Sequence, residues 1–546
     1  MDRFFSTVYK FLDRYSYPLL LTCFILWMCI GIFPLRCYET DGQEITLACD
    51  VLYREGWSFP PVYAYEYRMQ PLTLIVVTAL KHLLPFFTCE QIYGFLTVVF
   101  SLVFLLGCIS FACHVTKAAK VKALLAAMLL PEMYAIAMYS NTAIPAAACF
   151  IWAMVMITKK RYWLAGLLMS IAVLFRLDVV IVFPTLLPLF LFEGKSWKQA
   201  LLSSAAIGAM VVAAGLFGFW LVGAEALGTF GAFQKWNGII TPSERLLAIL
   251  GFYSLAYVLL LPLGIGRMVA KRWWKELFLV ALPILTSHVV FASFGNASKH
   301  FLYNAPFVII AGIRAMEWMR QLLRNRPLLK WATVVGVVLF MTVSVRKGNP
   351  NMPWIYNNPL TKTGVVLPLY ETEHGGTDYL VGLGAGFQLI TGDEYMLLTG
   401  HLFYPWYIHT VKQITGDWRR QQKAVIDTLP TSNILTFEYG ASAPISYEYL
   451  SEGYHFRQME KMPESYRFTL SGPQRQLHFF RVVLWSPISS KQQALSLIKK
   501  ICPDFLEGDH YILSAPNHYG ACYFMDELVA DGCLEKKAER LYQIKK

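Results

Sequence analysis

Long apolar runs recur along the first 345 residues of this 546-residue chain, and runs of about 18 residues or more are typical of membrane-spanning helices. Hydrophobic residues make up 56% of the chain and charged residues only 15%, whereas soluble globular chains carry nearer to about a quarter charged residues. The sequence therefore predicts a polytopic α-helical membrane protein.

Eleven spans are predicted in this part of the chain. Their approximate bounds are 18–35, 92–113, 122–139, 143–158, 163–175, 179–193, 200–223, 247–266, 277–293, 301–316 and 329–345. The stretch "PLTLIVVTALKHLLPFF" (71–87) is not counted, because Lys81 and His82 interrupt it and a charge in mid-bilayer costs on the order of 2.5–3.5 kcal/mol. We expect it to be a short helix that lies at the membrane interface.

Basic residues cluster in short segments between the apolar runs. With 71–87 outside the bilayer, five clusters fall on the same side as the N-terminus. They are "KAAKVK", "KKR", "KSWK", "RMVAKRWWK" and "RQLLRNRPLLK". Because basic loops favour the cytoplasm, the N-terminus is predicted to be cytoplasmic and the acidic loop 36–91 to face outward.

The direction of the later spans depends on a break at "LFRLDVV". The segments 163–175 and 179–193 are both short for a hydrocarbon core of about 30 Å. Treating 163–192 as one helix would reverse the charge asymmetry of every later loop. We therefore expect two spans, with Arg176 and Asp178 at the outer face between them.

Hydropathy changes near residue 346, and the remainder, 346–546, is predicted to be a soluble α/β or α+β domain. "NILTFEYG", "LHFFRVVLW" and "HYILSAP" are typical of strands, while "SKQQALSLIKKI" and "YFMDELVADG" are typical of helices. With eleven spans before it, this domain is extracytoplasmic. It contains no Walker loop, GxSxG or HExxH motif.

The net charge of +12 could indicate nucleic-acid binding. However, the basic residues lie between apolar runs and form no stripe with interleaved aromatic residues, so no nucleic-acid partner is predicted. The lipid bilayer is the partner that this distribution indicates.

Polar side chains collect at the outer ends of the predicted spans, and they come from four separate loops. These are Glu39, Asp41, Glu44, Glu66 and Arg68 in the first loop, Glu132 and Asn141 in the turn 131–145, Arg176 and Asp178, and finally Lys299, His300 and Asn304. Ionisable groups at this depth are costly unless they face a cavity or one another.

These residue types suit one kind of chemistry. A carboxylate can take the proton of an attacking hydroxyl, which contributes typically about 10²–10⁴-fold. Fixed cations can stabilise a phosphate that becomes more negative as it leaves. A membrane-buried donor, a departing phosphate and a hydroxyl acceptor together describe glycosyl transfer from a polyprenyl-phosphate sugar.

The order of the motifs resembles the GT-C glycosyltransferases, integral-membrane enzymes that use polyprenyl-phosphate sugars. The details are most similar to the mannosyltransferases that use dolichol- or polyprenyl-phosphate mannose. The matching stretches in residues 1–345 are "TDGQE", "YEYR", "YSNTA", "FRLD" and "SKHFLYNAPF". Three features depart from the family pattern. Gly42 and Gln43 separate Asp41 from Glu44, Leu177 stands where an Arg-Pro turn has proline, and no glutamate follows Lys299 and His300.

The resemblance implies a role for each matching residue. Asp41 would be the catalytic base, assisted by Glu44 or Glu39, while further substrate contacts would come from Glu66, Asn141 and Asp178. The cations of the donor-phosphate site would be Arg68, Arg176, Lys299 and His300. No metal or other cofactor is implied, and the acceptor would be an extracytoplasmic glycan, lipid or protein.

Other interpretations stay open at this point. Asp41 could be a solvated loop acid, Arg176 an anchor between two short helices, and Lys299 and His300 interfacial anchors. The whole chain could instead be a transporter or lipid flippase, or a polymerase or ligase that uses diphosphate-linked glycans. The predicted location is a plasma (inner) membrane, or the endoplasmic reticulum membrane in a eukaryote.

Overall fold

The computed structural model describes residues 14–26, 71–130, 142–222, 242–294 and 298–326, together with single positions and runs of two or three residues elsewhere before residue 344. From residue 344 onward it describes strands with short adjoining segments. A helical bundle forms the first part. Its helices are 14–26 (α1), Pro71–Leu83 (α2), Cys89–Thr116 (α3), Lys120–Met128 (α4), Ala143–Thr158 (α5), Tyr162–Phe175 (α6), Leu186–Phe192 (α7), Trp197–Val222 (α8), Pro242–Ala270 (α9), Trp274–Phe294 (α10) and Ala305–Leu322 (α11).

Two of the described helices, α3 and α8, are long and apolar enough to cross a membrane by themselves. Each begins with a capping box that its sequence encodes. In "TCEQ" the Gln91 amide N–H donates to Thr88 Oγ1, and the Thr88 N–H donates to Gln91 Oε1. Ser196 and Gln199 form the same pair before α8. The predicted span 92–113 therefore lies inside α3, and residues 200–222 of the predicted span 200–223 lie inside α8.

The predicted break at "LFRLDVV" is confirmed. Helix α6 ends at Phe175, a 3-10 helix covers Leu177–Thr185, and α7 follows. Tyr162 at the start of α6 packs edge-on against Phe190 near the end of α7, with ring centroids 5.5 Å apart. The chain therefore turns back at Arg176 instead of continuing as one helix.

Several predicted spans are wrong in part. The segment 122–139 is not a single helix, because α4 ends at Met128 and Pro131 follows shortly after. The segment 179–193 begins in the 3-10 conformation, as prolines at 184 and 188 weaken α-helical hydrogen bonding. The segment 301–316 begins in a second 3-10 helix, Ser298–Asn304, before Pro306 starts α11.

The last predicted span, 329–345, is also wrong at its end, since Ser344–Arg346 is a β-strand. That strand crosses the predicted domain boundary at 345/346. The short helix α2 agrees in length with the prediction for 71–87, because its 13 residues extend over only about 20 Å, less than a hydrocarbon core. Its location at the membrane interface stays a prediction. The total of eleven spans stays a prediction.

The predicted basic clusters share one end of the bundle, called the basic end here and defined by the turns 117–119, 159–161, 193–196 and 271–273. His114 Nε2 lies 2.8 Å from Glu193 Oε1, which joins the ends of α3 and α7. Lys195 Nζ lies 3.9 Å from the centroid of the Tyr162 ring, so the start of α6 lies at this end as well. The side of the membrane that this end faces stays a prediction.

A buried ion-pair network fastens four helices at the basic end. Arg314 of α11 binds Glu276 of α10 through Nε and Nη2, at 2.7 and 2.8 Å. Its Nη1 donates to the Thr116 carbonyl of α3 at 3.3 Å and to Glu317 at 3.1 Å. Arg267 of α9 lies 3.7 Å from the same Glu317 carboxylate. Both arginines are buried, so these partners balance charges that would otherwise be costly.

Small residues allow α9 and α11 to pack closely. A Cβ atom on Gly264 would collide with the Ala311 carbonyl oxygen, and one on Gly312 would lie 2.5 Å from the Tyr257 hydroxyl. That hydroxyl donates to the Ala126 carbonyl of α4 at 2.8 Å. Small residues at such contacts let the backbones of membrane helices approach one another.

Two mixed β-sheets lie in the C-terminal part. The strands are Ser344–Arg346 (β1), Val366–Glu371 (β2), Thr377–Leu383 (β3), Gly386–Ile390 (β4), Leu397–Leu398 (β5), Asn433–Tyr439 (β6), His455–Met462 (β7), Ser465–Ser471 (β8), Gln476–Leu484 (β9), Tyr511–Ser514 (β10), Leu534–Ala538 (β11) and Leu541–Ile544 (β12). Their orders are β2-β3-β4-β1-β5 and β11-β12-β10-β6-β9-β8-β7. The three strands predicted from sequence are β6, β9 and β10, which run parallel to one another at the centre of the second sheet.

One buried tyrosine anchors a charged cluster beside this second sheet. The Tyr449 hydroxyl donates to Asp427 Oδ1 at 3.0 Å, and Lys423 and Arg475 also bind that carboxylate. Burial, together with the Asp427 charge, raises the pKa of Tyr449, so the phenol stays protonated and acts as a donor.

Because α9 and α11 pack closely, two glycine-to-alanine substitutions should change the free energy of unfolding in opposite directions. Gly264→Ala should lower the free energy of unfolding by about 1–3 kcal/mol, because the new methyl group meets backbone that cannot move aside. Gly208→Ala, in α8 with open space around it, should raise stability slightly through helix propensity. Thermal unfolding of the purified variants in detergent measures both, and equal effects would contradict the close approach.

Candidate functional site

The candidate site begins where α6 ends. Arg176 follows the last residue of the helix and has an extended backbone, with φ −163° and ψ 120°. Its N–H still donates to the Ala172 carbonyl at 2.9 Å. This geometry ends the helix and holds the arginine at the turn between α6 and the 3-10 helix.

The guanidinium group of Arg176 is buried and has defined partners. Nε donates to Asp178 Oδ2 at 2.7 Å, and Nη1 donates to Thr142 Oγ1 at 3.3 Å. Only 8% of Arg176 is exposed. Through its bond to Thr142, Arg176 therefore joins the turn after α6 to the residue that precedes α5.

A third segment reaches this pair through Tyr303. Its hydroxyl donates to Asp178 Oδ1 at 2.7 Å, so both oxygens of that carboxylate accept a hydrogen bond. Tyr303 is fully buried in the 3-10 helix before α11, and its ring packs edge-on against Phe150 of α5 at 6.3 Å. Three of the four loops predicted to converge thus contribute residues to one cluster.

Further polar groups adjoin Tyr303. Asn304 Nδ2 donates to Ser287 Oγ of α10 at 2.6 Å, and both residues are fully buried. The next residue of α10, His288, lies between the rings of Tyr253 and Phe301, with centroids 5.4 and 4.8 Å away. Its Nδ1 lies 2.6 Å from the Ile284 carbonyl, which makes Nδ1 the protonated ring nitrogen.

A small apolar crevice, with a volume of about 10 Å³, lies beside the cluster. Helices α2 and α3 supply most of its walls, and Pro145 and Phe175 close one side. Phe175 immediately precedes Arg176 in the chain. Thr73 Oγ1, on the wall of the crevice, is buried without a hydrogen-bond partner among the described residues.

The described part of the first loop packs on α2. Asp50 is buried, and one of its carboxylate oxygens accepts from Cys89 Sγ at 3.5 Å at the start of α3. Lys81 Nζ donates to the Pro85 and Phe87 carbonyls and lies 5.2 Å from the Tyr53 ring centroid. These contacts place residues 49–53 at the same end of α3 as the crevice, away from the basic end.

Of the predicted site residues, the structure describes Arg176 and Asp178 in full and brings them together. For Lys299 and His300 it describes only the backbone, in the same 3-10 helix as Tyr303. The others lie outside the described residues: Asp41, Glu44, Glu39, Arg68, Glu66 and Asn141. Among the described residues, no group of three or more His, Cys, Asp or Glu side chains could hold a metal ion.

The sequence analysis missed three members of this region. Thr142 directly follows the predicted site residue Asn141, Tyr303 lies close to His300, and Asp50 belongs to the same loop as Glu44. Tyr303 was hidden because an aromatic residue in an apolar run is typical of a core position. Thr142 could have been found from the sequence, because a polar residue directly before a predicted span indicates a side chain at the membrane boundary.

The hydrogen bond between Tyr303 and Asp178 predicts a specific loss of stability. Tyr303→Phe keeps the ring but removes the hydroxyl that donates to the partly buried Asp178 Oδ1, so the free energy of unfolding should fall by about 1–3 kcal/mol. Tyr162→Phe is the control, since the Tyr162 ring packs on Phe190 at the basic end. Thermal unfolding should separate the two variants, and equal stability would contradict the pairing.

No protein-family model and no curated protein matches the sequence. The structure, however, resembles the crystal structure of ArnT from Cupriavidus metallidurans bound to undecaprenyl phosphate. The TM-score is 0.51 at 11% sequence identity, and the match covers 97% of this chain and 98% of that one. The protein therefore shares its overall fold with ArnT.

Proposed function

We propose that this protein is an integral-membrane glycosyltransferase that moves a sugar from a polyprenyl-phosphate donor to a hydroxyl group of a glycan, lipid or protein acceptor. The observation that carries the proposal is the buried Arg176 at the end of an apolar crevice. The fold shared with ArnT supports it, because that protein was crystallised with undecaprenyl phosphate. The identity of the sugar is left open, and a mannose-like hexose or a pentose would both fit.

In this proposal the crevice and Arg176 bind different parts of the donor. The isoprenoid chain would lie against the apolar walls formed by α2, α3 and Phe175, and the phosphate would face Arg176. Arg68, Lys299 and His300 would complete the cationic site. A guanidinium group suits this task because it remains charged and offers donors in a fixed plane.

Asp178 and Tyr303 would hold the arginine in place. The carboxylate takes the Nε donor of Arg176, and the Tyr303 hydroxyl orients that carboxylate from the other side. A cation fixed in this way needs no reorganisation when charge develops on the leaving phosphate, and such preorganisation is often the largest catalytic contribution.

The transfer step follows from these roles. Asp41 removes the proton from the acceptor hydroxyl, whose oxygen attacks the anomeric carbon of the donor sugar. The bond between that carbon and the phosphate oxygen breaks, and the polyprenyl phosphate leaves with the electron pair. Attack opposite the leaving group inverts the anomeric configuration. Glu44 or Glu39 would assist the base, and Glu66 and Asn141 would bind the sugar or acceptor.

The orientation that goes with this function has the basic end in the cytoplasm. The candidate site and the C-terminal domain, residues 346–546, then face outward, where the acceptor would be bound. The charge asymmetry of the loops supports this orientation.

Asp41→Asn tests the proposal directly. The variant should fold normally but lose transfer by at least about 10²-fold, because the amide cannot accept the proton. Membranes containing either form are incubated with a labelled polyprenyl-phosphate sugar, and transfer to endogenous acceptors is measured. Glu55→Gln, another carboxylate of the same loop, should retain activity.

Three outcomes would contradict the proposal. Full activity in Asp41→Asn would remove Asp41 from the mechanism. Competition by diphosphate-linked but not monophosphate-linked donors would instead indicate a polymerase or ligase. An activity that depends on an ion gradient and moves intact lipid would indicate a transporter or flippase.

A further inference from the structure

Three helix ends at the basic end carry a basic residue in a left-handed backbone conformation. Lys117, Lys160 and Arg272 have φ values of 58°, 59° and 57°. Among the described residues, they are the non-glycine residues with positive φ. All three side chains are exposed.

The hydrogen bonds of these helix ends define a position where glycine is the usual residue. After α5, the Arg161 N–H donates to the Met156 carbonyl and the Lys160 N–H to the Ile157 carbonyl, both at 2.9 Å. This is the Schellman pattern, in which the left-handed position normally has glycine, as that residue carries no Cβ penalty. Arg272 occupies the same position after α9, with the Trp273 and Arg272 N–H groups as donors.

Glycine does occupy this position elsewhere in the chain. After α7, the Lys195 and Gly194 N–H groups make the equivalent two bonds, and Gly194 has a φ of 86°. Gly532 is the counterpart in the C-terminal part. Lys117 ends α3 with the related single bond from its N–H to the Cys113 carbonyl. The chain thus accepts backbone strain at three turns of one end, and each time a positive charge occupies the strained position.

Exposed tryptophans lie beside the turns of the basic end. Trp163 follows Lys160 and is 70% exposed, while Trp274 follows Arg272 and is 57% exposed. Trp197 follows Gly194 in the same way. Tryptophan is enriched at the headgroup level of bilayers, so the neighbouring turns lie at the depth of the lipid phosphates.

We infer that Lys117, Lys160 and Arg272 form a binding surface for the headgroups of acidic phospholipids. The turns project each cation away from the bundle at the level of the headgroups, where an anionic leaflet attracts it. The ion pairs around Arg314 hold the ends of α3, α10 and α11 together beneath this surface. This inference does not depend on the proposed catalytic function.

Substitution of all three residues by glycine tests the inference, because its effect on the unfolding temperature should differ between neutral and acidic lipid. In nanodiscs of phosphatidylcholine, K117G/K160G/R272G should unfold at the same temperature as the wild type or higher, because glycine relieves the strain. Replacing half of the lipid by phosphatidylglycerol should raise the unfolding temperature of the wild type by about 3–6 °C and leave that of the variant unchanged. High salt should reduce the gain of the wild type.

Two further variants show whether the response to phosphatidylglycerol depends on the charge of these side chains, on the backbone conformation or on their position. K117N/K160N/R272N removes the charges with a residue that tolerates the left-handed conformation, so it should also lose the response to phosphatidylglycerol. K198Q/R324Q/R326Q removes three exposed charges of the same end outside these positions and should keep most of the response. Inorganic phosphate added to phosphatidylcholine nanodiscs should not substitute for the lipid.

The inference fails if the wild type gains no stability from phosphatidylglycerol. It also fails if the glycine and asparagine variants gain as much as the wild type, or if the position control loses the response equally. Transfer activity is not part of the measurement, so these outcomes leave the proposed function untouched.

Discussion

A charge inside an apolar helical bundle must have a partner, and this constraint determines how the ends of the bundle are built. At the basic end, Arg314 uses all three nitrogen atoms on Glu276, Glu317 and the Thr116 carbonyl. At the other end, Arg176 is held by Asp178 and Thr142. Because removing one partner of a buried pair costs about 3–5 kcal/mol, both sets of contacts specify which helix ends meet.

The two arginines nevertheless have different surroundings. Arg314 is bound between two carboxylates and lies 4.4 Å from the centroid of the Trp273 ring, which is a structural arrangement. Arg176 shares the Asp178 carboxylate with the Tyr303 hydroxyl and follows Phe175 on the wall of an apolar crevice. The proposed chemistry depends on the second arrangement.

Much of the helical architecture could be predicted from the sequence, because basic residues bound the apolar runs. The predicted spans 143–158 and 163–175 agree closely with the observed helices, and the break at Arg176 follows from charge asymmetry alone. The 3-10 segments could not be predicted in this way, since hydropathy does not distinguish them from α-helix. They matter functionally, as they carry Asp178 and Tyr303.

The candidate site was only partly predictable for a related reason. Sequence position indicated that Arg176 and Asp178 lie at one boundary, but their mutual ion pair depends on side-chain geometry. Tyr303 required coordinates, because nothing in "FLYNAP" distinguishes its hydroxyl from a core phenol. The left-handed turns at Lys117, Lys160 and Arg272 are likewise a backbone property that the basic clusters alone do not reveal.

The central claim is that Arg176 and the adjoining crevice receive a polyprenyl phosphate. A structure of the full chain in a nanodisc with an added polyprenyl phosphate measures this most directly. The account predicts the phosphate within about 4 Å of the Arg176 guanidinium group and the first isoprene units against Thr73 and Phe175. A phosphate bound elsewhere, with the crevice occupied by protein side chains, would contradict it.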